Sequence, residues 1–218
     1  MGARSARCPV SAALGGAVEL LERSLSYTRG TLAGVRPDLL DRPTPCAGWT
    51  LGHLLAHMED ALDAFIEAAA GRVRVDPVPQ TSTRVDALRE KACALLGAWT
   101  AARPSGREDV AVGDLGLDAP LLVATAALEI TVHGWDVGEA TGSGRRIPED
   151  LARGLLGIAQ QVIGPLDRGP RFACPRPARP GAPYDERLLA WTGRAAGHMT
   201  EPLRGNPLER PAQRGLAS

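Results

Sequence analysis

Lysine is almost absent. Lys91 is the only one among 218 residues, and arginine supplies the rest of a positive charge of 25 that 25 acidic residues cancel. A chain with no net charge lacks the basic footprint that phosphate backbones select, which argues against nucleic acid as an obligatory partner. Cysteine is scarce too. Cys8, Cys46, Cys93 and Cys174 lie far apart, with no CxxC or zinc-ribbon spacing, so neither a disulfide framework nor a structural zinc knuckle is implied. A reducing, cytoplasmic compartment is the expectation. No apolar run reaches the ~20 residues of a membrane span, and Glu19 interrupts segment 1–22, which does not read as a signal peptide.

What is present is helical periodicity. Residues 1–10 read as an N-terminal arm. Leu14, Val18, Leu21 and Leu25 then recur at helical spacing from Ser11 to about Leu32, and Pro37 bars continuation. After the proline-punctuated loop 41–48, Thr50 is a candidate N-cap for a helix to about Ala70. Its stripe is Leu51, Leu54, Leu55, Met58, Leu62, Phe65 and Ile66. Ser82 can cap a third helix to about Ala102. Residues 110–117 alternate like a short extended stretch or a loop. Pro120 suits the first turn of a fourth helix to about Ala140, ended by Gly142. Pro148 opens a fifth helix to about Ile163. A proline-rich crossing follows, then a short helix from Tyr184 to Arg194 and a Pro-, Gly- and Arg-rich tail, 196–218, expected to be disordered. The sum is an all-α bundle of four helices with long crossover connections and a short C-terminal helical extension, spanning 11–195.

The fourth helix carries the chemistry. Glu129 and His133 are four residues apart and share a face, with Asp136 one further step along. Metal sites in bundles are assembled from facing helices, and His57, bordering the stripe of the second helix, is the candidate third ligand. Taken singly, His57 also reads as an ordinary core or surface histidine, and Glu129/His133 as an ordinary intrahelical pair. His53 and His57 form an HxxxH pair but lack the glutamate of a zinc-protease helix, since Leu54 stands there. His53 lies nearer the helix start and is expected toward solvent.

The segment Thr44-Pro-Cys-Ala-Gly-Trp-Thr-Leu-Gly-His-Leu-Leu-Ala-His-Met58 resembles a signature of the DinB-like, mycothiol-dependent maleylpyruvate isomerase N-terminal family. Glu129-Ile-Thr-Val-His-Gly-Trp-Asp-Val137 resembles that family's ExxxHGWDL segment. Arg171-Phe172 and Leu188-Leu-Ala-Trp-Thr-Gly-Arg194 resemble the closing segment of an actinobacterial branch of metal-binding members.

The resemblance implies a four-helix bundle holding one divalent ion, usually zinc, sometimes nickel or iron, on His57, Glu129 and His133. It implies Asp136 as an outer group behind the ligands or as a helix-ending polar residue, and leaves Cys46 packed in its loop. Three protein ligands leave a position open, and the activity implied is addition or isomerisation of a small electrophile by a low-molecular-weight thiol such as mycothiol. A metal-dependent thiol S-transferase or isomerase is the expectation, with a role in secondary metabolism.

The alternatives are a non-catalytic metal- or small-molecule-binding or self-resistance protein, and a metal-hydroxide hydrolase. The open position is expected to be walled by Leu122, Ala126 and the stripe of the second helix. Arg145, Arg146 and Arg194 are candidates for holding an anionic ligand. The short stretch after the bundle points away from a second substantial domain and from maleylpyruvate itself as substrate. The partners expected are a thiol and an electrophile, with no nucleic acid and no membrane, in a monomer or homodimer.

Overall fold

A computed structural model describes residues 9–70, 84–102, 109–112, 115–169 and 171–195. The expectations for Ser82, for most of the N-terminal arm and for the tail fall outside these residues. Six α-helices and a two-stranded hairpin make up the described fold: α1 Pro9–Leu32, α2 Leu51–Ala69, α3 Arg84–Ala102, β1 Asp109–Val112, β2 Leu115–Asp118, α4 Ala119–Thr141, α5 Glu149–Val162 and α6 Tyr184–Trp191. The all-α architecture expected from periodicity is what the structure shows. The alternating stretch near residue 110 is a small antiparallel pairing, Val110 opposite Leu117.

The helix ends follow local chemistry. Thr50 caps α2 by accepting from the His53 amide at 3.3 Å, and Asp118 caps α4 by accepting from the Leu121 amide at 2.7 Å. Each satisfies a donor that no helical carbonyl can reach. At the far end of α4, Gly142 takes a left-handed φ of 76°, and its amide returns to the carbonyls of Glu139 and Gly138.

Helix α4 runs through the middle. It is buried along most of its length and packs on α1, α2 and α5. Its contact with α1 is close because Gly134 carries no side chain. A Cβ there would stand 3.0 Å from Thr28 Cβ and 3.1 Å from its Cγ2, and overpacking of that kind typically costs 1–3 kcal/mol. The Thr28 hydroxyl donates to the Ile130 carbonyl across the same contact at 2.8 Å. Leu14, Leu21, Leu54, Leu55, Leu128 and Leu155 are among the fully buried side chains where the helices meet; each contributes roughly 1.5–3 kcal/mol by leaving water.

The single lysine has a fixed place. Lys91 on α3 bonds Asp63 at 2.6 Å and pairs with buried Glu59 at 3.1 Å, both on α2. Arg84 donates to the other Glu59 oxygen at 3.2 Å. These bonds pin α3 to α2, and the two helices form one wall of the space in front of Glu129. No described helix is long and apolar enough to cross a membrane.

Candidate metal centre

The stripe of α2 turns Leu54, Leu55 and Met58 into the core and leaves His57 at its border. From α4, one turn apart, Glu129 and His133 face it. Glu129 Oε1 lies 3.1 Å from His57 Nε2 and 3.3 Å from His133 Nε2, and the two imidazoles stand edge to face with centroids 5.0 Å apart. One ligand atom from each of the three residues lies within 4.8 Å of the other two. The structure therefore brings together the three residues singled out in the sequence. His53 is exposed and does not belong to that group.

The other nitrogen of His133 faces a different environment. Nδ1 lies 3.0 Å from Asp136 Oδ2, and Asp136 is fully buried. Arg194, arriving from the stretch after α6, donates Nε to Asp136 Oδ1 at 2.8 Å and Nη2 to Oδ2 at 2.6 Å. Cys46 donates its thiol to Asp136 Oδ2 at 3.2 Å and lies 3.8 Å from His133 Nδ1. An ionised carboxylate can only accept, so Nδ1 donates; when the ring gives up its second proton, the lone pair is left on Nε2, toward Glu129 and His57.

Cys46, His133 and Asp136 also meet the spacing for three donors. Both Asp136 oxygens are already engaged by a bidentate guanidinium, so that trio is a closed structural cluster.

The charges reinforce the cluster in the metal-free protein, where His133 is held protonated. Burial alone would raise the Glu129 carboxyl. Hydrogen bonds and charge from His133 and His57 override it and hold the group well below the usual carboxylate range. Burial likewise opposes ionisation of Asp136, and Arg194 overcomes it, with His133 assisting. His133 is pushed down by burial but carried well above the ordinary histidine value by Asp136, Cys46 and Glu129.

Two cavities open on the cluster, and Glu129 and His133 line both. One, of about 440 Å³, lies among α1, α2, α3 and α4. The other, of about 430 Å³, lies under the loops carrying Cys46, Trp49, Arg171, Phe172 and Arg194. Trp49 sets its ring edge-on to His57, centroids 4.9 Å apart. Its loop is shaped by Gly48 at φ 79° and by the Thr44 hydroxyl, which donates to the Trp49 carbonyl at 3.0 Å.

Three expectations need correction. Leu122 and Ala126 line neither cavity: Ala126 belongs to the packed core and Leu122 packs against it, because α1 and α3, not the earlier turns of α4, face the cluster across open space. Arg194 is not a free anion-binding cation, since Asp136 occupies its guanidinium. Arg145 and Arg146 line neither cavity, and Arg146 pairs instead with buried Asp185 at 2.7 and 2.8 Å. Cys46, which sequence reading left packed in its loop, instead reaches the cluster. Its place in the Thr44–Trp49 stretch just before α2 was the only available signal.

An all-helical bundle that aims two histidines and a carboxylate at a shared point defines the class. Comparison with known proteins narrows it. The profile of the mycothiol maleylpyruvate isomerase N-terminal domain matches residues 21–138, and the chain belongs to that family. Uncharacterized proteins from two strains of Mycobacterium tuberculosis are 30% identical to it over 178 residues, covering 79% of this chain and 94% of theirs. A crystal structure of the mycothiol-dependent maleylpyruvate isomerase matches with 20% identity and a TM-score of 0.45, over 67% of this chain and 69% of that one.

Proposed function

We propose that the protein uses a divalent ion on His57, Glu129 and His133 to activate a low-molecular-weight thiol, mycothiol in the first instance, for addition to or isomerisation of a small electrophile. The observation that carries this reading is the asymmetry of His133: Nδ1 is locked to a buried, fully engaged carboxylate while Nε2 faces Glu129, His57 and open space.

The donor set fits such an ion. Two imidazoles and one carboxylate suit zinc, and nickel or iron next. Three ligands leave room for an exogenous one, and a carboxylate behind a ligating histidine is the usual outer support. The ion, when bound, supplies Lewis acidity that lowers the pKa of a thiol to the neutral range.

The chain's own residues do the rest. Glu129 supplies negative charge from a carboxyl held ionised. Asp136 fixes the His133 ring and its tautomer, and Arg194 fixes Asp136. The loop cavity, with the Arg171 guanidinium, the Cys46 thiol and the Trp49 ring among its lining, suits a hydrophilic thiol. The family name, which joins mycothiol to isomerisation, supports the same class of chemistry.

The test is turnover of an activated alkene or epoxide by purified protein with mycothiol. It is expected to stop on chelation and return with added zinc, nickel or iron. Thiol binding that depends on metal, with no turnover of any electrophile, would shift the reading to a binding or self-resistance role. Metal-dependent hydrolysis without thiol would shift it to a hydrolase.

A further inference from the structure

The two cavities that share Glu129 and His133 differ in chemistry, and the difference assigns them different occupants. The cavity among the helices is walled by Leu25, Leu32, Met58, Leu62, Leu88 and Leu96. The one hydroxyl deep in it, on Thr28, already donates to the Ile130 carbonyl at 2.8 Å. Its innermost polar groups are Glu129 and His133 themselves. At the mouth stand exposed Glu22 and Arg29, of opposite sign, and Arg89, which donates to Asp86 at 3.2 Å. The rim therefore has no net charge with which to draw an anion. A space of about 440 Å³ falls within the ~300–1,000 Å³ of small-molecule pockets, which are mostly apolar with a few convergent polar groups.

We propose that this cavity is the electrophile site, and that the electrophile is a compact molecule with an uncharged alkyl or aryl body whose single polar head reaches Glu129 and His133. The proposal rests on the thiol-transfer reading for the word electrophile; the apolar site itself does not depend on it. A dicarboxylate such as maleylpyruvate would meet one cation unpaired among the described residues, Arg29 at the exposed mouth, offset there by Glu22; among the leucines farther in, burying a carboxylate without a partner is strongly unfavourable. An alkyl or aryl body gains roughly 25 cal/mol for each Å² it removes from water. The thiol then approaches from the loop cavity, which shares Glu129 and His133 with this one, and the two reactants come into contact beside those residues.

The experiment reads binding, not turnover. The neutral probe N-phenyl-1-naphthylamine is titrated by fluorescence into the full-length, metal-loaded protein. Saturable one-to-one binding is expected. Ala92→Phe on α3 and, separately, Ala61→Phe on α2 fill the cavity and are expected to weaken binding at least tenfold with metal content unchanged. Ala47→Phe, which crowds the loop cavity, is expected to leave binding within twofold.

Wild-type protein supplies a second arm that needs no variant. Neutral alkyl and aryl compounds should displace the probe, and maleate at the same concentration should not. Absence of probe binding, equal displacement by maleate, or indifference to both cavity-filling variants would each overturn the assignment. Thiol turnover failing while these results hold removes the reaction but leaves the apolar site. Turnover succeeding while they fail removes the site alone.

Discussion

The two flanks of the His133 ring are opposites. On the Nδ1 side, Asp136 is inaccessible to water, its oxygens accept from Arg194, His133 and Cys46, and the guanidinium that closes the cluster is 9% exposed. On the Nε2 side, Glu129 meets two imidazoles at 3.1 and 3.3 Å, His57 is 36% exposed, and cavities lie on either hand. One side of a single ring is finished as structure; the other is left short of partners. Rigidity placed directly behind a reactive group is how a binding site keeps its geometry while staying open.

The sharpest way to break the comparison is to remove Arg194. Stripping one partner from a buried ion pair strands the other charge, and Arg194→Ala is expected to lower unfolding free energy by about 3–5 kcal/mol, measured by urea denaturation. A loss below about 1 kcal/mol would mean the Nδ1 side is not the structural one.

The pH dependence sharpens the same point. The Asp136 carboxyl is depressed in the folded state, so its contribution is complete above the unfolded value of about 4 and is lost as pH falls through the folded one. The stability gap between wild type and Asp136→Asn is therefore expected to be wide at pH 6 and narrower at pH 3. His133 is raised and carries the opposite sign: in metal-free protein its contribution is complete below about 6.5 and fades as pH climbs through the folded value.

The next effect concerns the open flank. His57→Ala and Glu129→Ala are expected to weaken zinc binding more than about 100-fold, beyond the 10–100-fold typical of outer partners, with little change in the urea midpoint of metal-free His57→Ala. Cys46→Ser should retain the metal. Competitive chelator titration separates these cases, and metal loss in Cys46→Ser comparable to that in His57→Ala would make the Nδ1 cluster the ion's site.

The smallest effect is expected at His53. It is exposed on the first turn of α2 and touches neither cavity. His53→Ala should bind zinc within about threefold of wild type, given that surface substitutions usually stay within ±0.5 kcal/mol. A larger loss would add a fourth ligand to the open side.

Sequence reading reached the open flank and, on the closed one, Asp136 as an outer group, but missed its partners Arg194 and Cys46 for a physical reason. Helix spacing places Glu129 over His133, and an apolar stripe with a histidine at its edge aims His57 inward; both are local signals. The caps at Thr50 and Gly142 were equally local. The Asp136–Arg194 pair joins positions 58 residues apart, and in a chain where nearly every cation is arginine nothing in composition marks one as buried. Cys46 depends on a loop whose path is set by Thr44 and Gly48. The expected wall of Leu122 and Ala126 failed because periodicity identifies the face of a helix but not which neighbour stands off from it.

The Asp136–Arg194 pair also imposes an order on synthesis. At about 5–20 residues per second, the ribosome adds the 58 residues between them in about 3–12 s. Until Arg194 emerges, the Asp136 carboxylate is better hydrated than buried, so the end of α4 has reason to stay undocked and the His133 ring has no fixed tautomer. The nascent bundle can gather His57, Glu129 and His133 early, but the setting of the His133 ring waits for Arg194 to leave the ribosome. The order of the two flanks in assembly thus follows the order of their residues along the chain.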